Sequence, residues 1–384
     1  MAEISNYFDY AAATPMLPEA IAAMQPFFAD QFYNPSALYL DARANRGHLE
    51  LFRQILASGL GARPTEIVFT AGGTEANNVA ISGIMSQHAD GHMVTTAIEH
   101  DSVLEPAREY AHTLVGVTPK GLIEEADIIA AITDKTVLVS VMYANNEIGA
   151  IQPIREISHA IEVIRKQRKA NGNTYPLFLH TDACQAGNYL DMQVARLGID
   201  LLTINAGKVY GPKQCGALFV RAGLKLKPLI SGGGQEWNMR SGTENLANIA
   251  GFTAAWSIVR HNYHDEARRV SGFRDICIAE LQKLVPAATV NGPKGNRRLA
   301  NNIHITVPAI DNERLLMELD EQGFQVATGS ACSASDDEPS HVLKALGLSD
   351  EQAQSSIRIT LGRYSTEQSV LELAETIAKI VALS

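Results

Sequence analysis

Short apolar runs alternate with longer stretches of helical periodicity between about residues 45 and 260. Six of the runs predict β-strands, at residues 66–70, 92–96, 136–142, 177–182, 201–204 and 216–220. Several are almost continuously apolar, which is typical of strands buried on both faces of a sheet. Helical patterns at 75–87, 102–112 and 154–169 separate most of them. The alternation predicts an α/β fold with a mainly parallel sheet and helices on both faces, whose ligands bind beyond the carboxyl ends of the strands.

The pattern changes after about residue 260. A long helical segment at 265–284 precedes short strands at 302–306 and 357–361, and the chain ends in a helix at 367–381. This order predicts a smaller C-terminal α/β domain. We therefore expect a large domain of residues 15–260 and a small domain formed by residues 1–14 and 261–384.

The composition is that of an ordinary globular protein, with 46% hydrophobic and 19% charged residues among 384. A net charge of −10 gives no general attraction to phosphate backbones, so we expect no direct nucleic-acid partner. The four cysteines lack the spacing of a metal site or a disulfide framework. Because neither a signal sequence nor an apolar run of about 18 residues is found, we expect a cytoplasmic protein with no metal and no membrane contact.

A glycine-rich turn, Ala71-Gly72-Gly73-Thr74-Glu75, follows the first predicted strand. The glycines allow a tight turn and close approach of a ligand to the backbone. Thr74 can cap the following helix, whose first N–H groups and positive dipole end would converge on one point. Phosphate binds well at such a point. An ordinary capped helix gives the same pattern, so the turn alone does not identify a site.

Two charged residues follow later strands of the same predicted sheet. Asp182 ends the strand at 177–182, and Lys208 comes just after the strand at 201–204. A carboxylate beside a pyridine nitrogen keeps that nitrogen protonated, and a lysine fixed at a strand end can form a Schiff base. Taken alone, each residue is more simply explained as a solvated side chain than as part of a cofactor site. Their occurrence with the phosphate turn, in chain order on one sheet, favours a common site.

Cys332 and His100 are candidates for direct chemistry. Cys332 lies in the small, polar stretch 329–339, which predicts an exposed loop whose thiol can reach a bound substrate. His100 could stack on an aromatic cofactor and move protons near neutral pH. An incidental surface cysteine and a helix-entry histidine are the open alternatives. We interpret the other cysteines as packing residues: Cys184, Cys215 and Cys277.

Nine short motifs are spread over nearly the whole chain. They are FDYAAATP at 8–15, NPS at 34–36, FTAGGTE at 69–75, EH at 99–100, NNEIG at 145–149, HTD at 180–182, Lys208 with YGPK at 210–213, RSGT at 240–243 and GSAC at 329–332. Together they resemble the cysteine desulfurases of the NifS/IscS type, which are class-V aminotransferase-family enzymes with the fold-type-I pyridoxal 5'-phosphate (PLP) fold. The resemblance implies a seven-stranded, mainly parallel sheet. It also implies an enzyme that converts L-cysteine to L-alanine and keeps the sulfur as a persulfide on Cys332.

The resemblance assigns roles in a cofactor site. Lys208 would form the Schiff base with PLP. Asp182 would pair with the pyridinium nitrogen, and Gln185 would bond the phenolic oxygen. His100 would stack on the ring, and Asn146 would line the pocket. The implied phosphate contacts are Gly73, Thr74, Asn205 and Gly207.

The resemblance also implies substrate and partner contacts. Arg358 would clamp the carboxylate of cysteine with help from Asn34, and Asn146 would lie close to the substrate. Thr243 would reach the phosphate of the neighbouring subunit, which implies a homodimer. Cys332 would pass its sulfur to acceptor proteins, a scaffold or a sulfurtransferase, for iron–sulfur cluster assembly or tRNA thiolation. The chain ends soon after its last helix, without the longer tail that some members of the family use to dock a scaffold protein.

The sequence departs from the family pattern at the phosphate. Asn205 and Gly207 stand where serine and histidine are usual, and Gly207 can offer only its backbone. Losing a hydrogen bond to a charged group costs about 1.5–3 kcal/mol, so we expect weaker retention of PLP than in a typical member. Asn238 replaces a usual glycine, and Tyr39 a common histidine.

Three interpretations follow, of which an L-cysteine desulfurase is favoured. The second is a selenocysteine lyase or another PLP enzyme of the same fold; Cys332 speaks against an aminotransferase, which needs no such thiol. The third is a sulfur-relay partner with impaired PLP binding, which only Asn205 and Gly207 favour.

Overall fold

The computed structural model describes residues 4–308, 310–329 and 339–383. Within them the strands are β1 (Ile67–Thr70), β2 (His92–Thr96), β3 (Ala111–Val115), β4 (Thr136–Ser140), β5 (Phe178–Asp182), β6 (Leu201–Asn205), β7 (Gly216–Val220), β8 (Thr289–Val290), β9 (Asn302–Thr306) and β10 (Ser356–Thr360). The helices are α1 (Pro18–Met24), α2 (Pro26–Ala29), α3 (Leu40–Leu60), α4 (Gly73–Met85), α5 (Asp101–Arg108), α6 (Glu125–Ala131), α7 (Ile154–Ala170), α8 (Val194–Leu197), α9 (Leu246–Leu284), α10 (Asn312–Glu321), α11 (His341–Ala345), α12 (Asp350–Gln354) and α13 (Glu367–Ala382). No helix in the described part of the chain is long and apolar enough to cross a membrane.

Strands β1 to β7 form one sheet in the order β1-β7-β6-β5-β4-β2-β3. Strands β2 to β6 run parallel, and β7 is antiparallel to both β1 and β6. This confirms the predicted seven-stranded, mainly parallel sheet. Because two antiparallel pairings restore the strand direction, β1 ends at the same edge as the parallel strands. The glycine turn after β1 therefore lies beside the residues that follow β4, β5 and β6.

The edge strand β3 is missing from the sequence prediction. The helical pattern extends to residue 112, whereas α5 ends at Arg108 and β3 begins at Ala111. An edge strand is only partly covered, and Leu114 is 48% exposed. The strand therefore lacks the continuous apolar pattern of the central strands. The prediction of helix beyond residue 108 is wrong.

Apolar cores cover both faces of the large sheet. In β1, Ile67 and Phe69 face the core that contains α3, α7 and α9, whereas Val68 faces the core that contains α4 and α5. This alternation follows from the two-residue period of a strand. Fully burying one aliphatic side chain stabilises the fold by about 1.5–3 kcal/mol, so the two layers hold the sheet edge that carries the site in place.

Helix α9 is 39 residues long and starts well before the predicted residue 265. Its first half places Phe252 and Trp256 in a core of the large sheet. Its second half places Cys277 and Leu281 in the core of a second sheet, of order β10-β9-β8. The helix is thus continuous across residue 260, where the sequence suggested a division. The proposed domain limits stay a prediction.

The N-terminal segment joins the two sheets. Phe8 is buried in the core of the small sheet. Thr14 donates its hydroxyl to the carbonyl oxygen of Gly207 at 3.0 Å. The residues between them, Ala11 and Ala12, therefore lie at the carboxyl edge of the large sheet.

Candidate active site

A cavity of about 260 Å³ lies at the carboxyl edge of the large sheet. Residues that follow β1, β2, β4, β5 and β6 line it, together with the N-terminal segment and β10. The predicted site residues that meet there are Gly73, Thr74, His100, Asn146, Asp182, Gln185, Asn205, Lys208 and Arg358. In the described residues, no cluster of three or more His, Cys, Asp or Glu side chains could hold a metal ion.

Asp182 ends β5 and is 8% exposed. Its Oδ2 accepts a hydrogen bond from Asn77 Nδ2 at 2.7 Å, and its Oδ1 accepts one from the backbone N–H of Cys184 at 2.9 Å. These donors fix the orientation of the carboxylate. Each oxygen has a further lone pair, so the carboxylate can still accept a hydrogen bond from a donor in the cavity.

Lys208 ends a short 3₁₀ turn after β6. Its Nζ donates to the carbonyl oxygens of Ala11 and Ala12 at 2.7 and 2.5 Å. Its own carbonyl oxygen accepts from Asn188 Nδ2 at 2.7 Å. The half-buried amine is therefore held at the cavity wall by neutral acceptors of the N-terminal segment.

His100 is the N-cap residue of α5. Its Nδ1 accepts the backbone N–H of Ser102 at 3.0 Å and lies 2.9 Å from Ser102 Oγ. Because Nδ1 accepts a backbone donor, the proton of the neutral ring is assigned to Nε2. Asn77 donates to Ser102 Oγ at 2.9 Å as well as to Asp182. A chain of hydrogen bonds thus links His100 to Asp182 through two residues that the sequence analysis missed.

Arg358 is almost completely buried, at 1% exposure, in β10. Its Nη2 donates to Asp9 Oδ1 at 2.7 Å, and its Nη1 donates to the carbonyl oxygen of Asn146 at 3.4 Å. A buried cation needs a partner, and Asp9 supplies it. The ion pair orients the guanidinium at the cavity; the sequence analysis did not identify Asp9.

The first turn of α4 forms a cradle for an anion. Gly72 is the N-cap residue at φ 139°, with no side-chain cap, and Thr74 lies inside the helix. The expectation that Thr74 caps α4 is therefore wrong, because the helix begins at Gly73, two residues earlier than predicted. A Cβ on Gly73 would lie 2.8 Å from Cys184 Sγ, so any other residue there would require the Cys184 side chain to move. A second cavity, of about 640 Å³, adjoins this turn and is also lined by Asn205 and Gly207.

Cys184 was interpreted as a packing residue, but it lines the active-site cavity. Burial, then the negative charge of Asp182, raises the pKa of its thiol well above the ordinary value. The thiol therefore stays protonated and is a poor nucleophile. Cys215 and Cys277 are buried in the apolar cores, which confirms their interpretation.

Among the described residues, three predicted site residues do not line the cavity. Asn34 is exposed, and its Oδ1 accepts the N–H of Ser36 at 2.9 Å. Thr243 is also exposed and does not line the cavity. Gly207 lines the adjoining cavity instead. Cys332 lies outside the described residues. The roles suggested for these four residues stay predictions.

Glu99 is a buried carboxyl group directly before His100. Its Oε1 accepts from the backbone N–H of Met142 and from Thr96 Oγ1, both at 2.8 Å, whereas Oε2 has no hydrogen-bond partner among the described residues. Burial raises the pKa of this carboxyl to about 8. At neutral pH the carboxyl is therefore mainly protonated in the folded protein.

Replacing Glu99 by glutamine is expected to remove one contribution to stability that falls as pH rises. The native protein keeps a proton that the unfolded chain loses above the ordinary value of 4.5. The contribution of Glu99 to stability therefore falls as pH rises from 4.5 towards 8, by at most about 1.4 kcal/mol per pH unit. Denaturant unfolding across that range should show that the free energy of unfolding of Glu99→Gln increases relative to that of the wild type as pH rises. Exposed Glu105→Gln is the control, and parallel curves for Glu99→Gln and wild type would contradict the assignment.

Comparison with known proteins agrees with this geometry. Residues 6–373 match the class-V aminotransferase family. Cysteine desulfurase IscS of Dictyoglomus turgidum is 41% identical over 382 residues, which are 98% of this chain and 94% of that protein. A solved NifS-like protein superposes with a TM-score of 0.89 at 29% identity and covers 98% of this chain and 99% of its own. The solved structure of SspA in complex with cysteine has a TM-score of 0.80 at 33% identity, covering 94% and 100%.

These similarities confirm the predicted fold-type-I fold, the predicted PLP cofactor and the predicted class of PLP-dependent cysteine desulfurase. The matches extend over nearly the full length of both chains. The chain belongs to the class-V aminotransferase family, and within it is similar to the cysteine desulfurases.

Proposed function

We propose that this protein takes the sulfur from L-cysteine, releases L-alanine and holds the sulfur as a persulfide on Cys332. One observation carries the proposal: Asp182, Lys208 and Arg358 meet in one cavity beside the uncapped first turn of α4. Such a reaction needs four groups from the protein: a partner for the ring nitrogen, an amine for the Schiff base, a clamp for the substrate carboxylate and a cradle for the phosphate.

The cavity residues fit PLP. Asp182 would pair with the ring nitrogen, Gln185 would lie beside the phenolic oxygen and His100 would cover the ring. The first N–H groups of α4, approached closely because residue 73 is glycine, would hold the phosphate. When bound, PLP supplies an electron sink for negative charge that develops on the substrate.

Each residue then has a defined task. Arg358, oriented by Asp9, binds the substrate carboxylate and fixes the position of its α-carbon. The Lys208 amine takes up and returns the proton on that carbon. His100 lines the cavity, and the backbone N–H of Ser102 fixes the orientation of its ring by donating to Nδ1.

The sulfur step needs a thiolate on Cys332. This thiolate forms a new S–S bond with the substrate sulfur, and the bond between that sulfur and the substrate β-carbon breaks. The electron pair goes to the β-carbon, which takes a proton and leaves as the methyl group of alanine. Cysteine and the enzyme thiol thus become alanine and an enzyme persulfide, with no external oxidant or reductant.

Turnover of L-cysteine tests the proposal. The purified, PLP-loaded protein should release alanine and form a stoichiometric persulfide, followed by sulfide when a thiol reductant is present. L-Selenocysteine is the comparison substrate. Alanine released only from selenocysteine would assign the lyase activity instead, and a protein that binds no PLP would favour the sulfur-relay interpretation.

The proposal includes a homodimer and protein acceptors of the sulfur. Exposed apolar side chains occur close together in sequence at 28–40 and 229–237, and such groups commonly mark interaction surfaces. Exposed Thr243 would contribute to the neighbouring phosphate site. We further propose a cytoplasmic location and delivery of sulfur for iron–sulfur clusters or thiolated tRNA.

A further inference from the structure

Gly207 leaves a gap in the wall of the cavity that adjoins the phosphate cradle. A Cβ built on it would have no contact shorter than 3.5 Å, to Asn205 Oδ1; the next atoms are Lys213 Cγ at 3.7 Å and Lys213 Cα at 3.8 Å. These are ordinary van der Waals distances, so a Cβ would fit there without displacing its neighbours. The stem of Lys213 therefore passes over Gly207 and takes part of the place that a larger residue would fill.

The cradle needs positive charge. A phosphate monoester carries about −1.5 to −2 at neutral pH, whereas a helix N-terminus offers roughly +0.5. Two cationic side chains, Lys208 and Lys213, line this cavity. Lys208 is required at the aldehyde carbon of the cofactor, so its charge is not available to the phosphate. Lys213 is the remaining cation.

The nearby carboxylate of Glu75 does not compete for that cation. Its Oε2 accepts the backbone N–H of Ala71 at 2.6 Å, and its Oε1 accepts from Arg240 Nε at 2.7 Å. The salt bridge to Arg240 neutralises its charge. Arg240 is correspondingly committed to Glu75.

The backbone of Lys213 is held in place, whereas its side chain is free to change rotamer. Its carbonyl oxygen accepts from Asn248 Nδ2 at 3.2 Å, while the side chain is exposed. The flexible four-carbon stem lets the ammonium move several ångströms from its Cα. It can therefore close on an anion in the cradle.

We propose that Lys213 is the cationic contact of the cofactor phosphate in this chain and occupies the space that Gly207 leaves open. The proposal rests on PLP as the cofactor. It offsets the weaker PLP retention expected from Asn205 and Gly207.

Equilibrium titration of the apoprotein with PLP, followed by the visible absorption of the bound cofactor, tests the proposal. Lys213→Ala should raise the dissociation constant of PLP about 10- to 100-fold, as expected for loss of a charge-assisted contact. The affinity for pyridoxal, which lacks the phosphate, should stay unchanged. Lys213→Arg should keep most of the PLP affinity.

Two further variants make the test specific. Lys227→Ala removes an exposed lysine that lines neither cavity, and it should bind PLP like the wild type. In the Lys213→Ala background, Gly207→His places a donor in the vacated space and should recover part of the affinity. That recovery also shows that the parent variant is folded.

Other results would overturn the assignment. Unchanged PLP affinity in Lys213→Ala, or an equal loss of PLP and pyridoxal affinity, would remove Lys213 from the phosphate site. In both cases the wild type still binds PLP, so the proposed desulfurase activity stands. A wild type that binds neither compound would contradict both proposals.

Discussion

Lys208→Ala is expected to lose at least about 10³-fold in the rate of alanine release from L-cysteine. The amine serves both as the covalent attachment point of PLP and as the group that moves the α-proton, and a positioned proton-transfer group alone contributes about 10²–10⁴-fold. The hydrogen bonds of Nζ to Ala11 and Ala12 place it for both tasks. Alanine quantified after incubation with cysteine measures the effect.

Borohydride reduction of the PLP-loaded protein gives a second measure for this variant. The wild type should retain the cofactor covalently after denaturation, and Lys208→Ala should lose it. Lys227→Ala is the matched control and should behave as the wild type in both assays. Normal turnover by Lys208→Ala would refute the Schiff-base assignment.

Cys332→Ser is expected to keep the visible absorption of bound PLP and to form no persulfide. The oxygen nucleophile of serine is hard and is not ionised at neutral pH, so it does not attack the substrate sulfur. Mass spectrometry after incubation with cysteine should find one added sulfur atom in the wild type and none in the variant. Release of sulfide with each turnover should fall in parallel.

Cys184→Ser is the matched comparison, because Cys184 is a thiol that lines the cavity itself. Burial raises the pKa of that thiol, so it should carry no sulfur, and the variant should still form the persulfide on Cys332. Full sulfide turnover by Cys332→Ser would remove Cys332 from the mechanism. A persulfide on Cys184 would transfer the role to this second thiol.

The central strands were predictable because burial on both faces requires continuous apolar runs. All six predicted strands begin and end within two residues of the observed limits, and the ranges 92–96 and 216–220 coincide with β2 and β7. The edge strand β3 carries no such pattern, since Leu114 faces solvent. The first half of α9 was missed because it is buried on most of its surface. Its small residues, such as Ala250 and Gly251, therefore show no clear amphipathic period.

The chemistry-bearing residues of the site were predictable from strand ends and motifs, but their supports were not. Asn77 lies on a largely apolar helix, and only the fold brings it within 2.7 Å of Asp182. Asp9 and Arg358 are separated by 349 positions in the chain. Such partners depend on tertiary contacts that no local pattern encodes. A buried polar residue in an apolar helix was the one available signal for Asn77.

The continuity of α9 has a consequence for how the molecule can move and melt. A rigid rod of 39 residues, roughly 58 Å long, is shared by the hydrophobic interiors of both sheets. Hinge bending near its middle would break backbone hydrogen bonds, so substrate access by a swing of the whole C-terminal part is disfavoured. Removing either part of the chain would take from the other a helix that its hydrophobic core needs. We therefore expect both parts to unfold together in one cooperative transition.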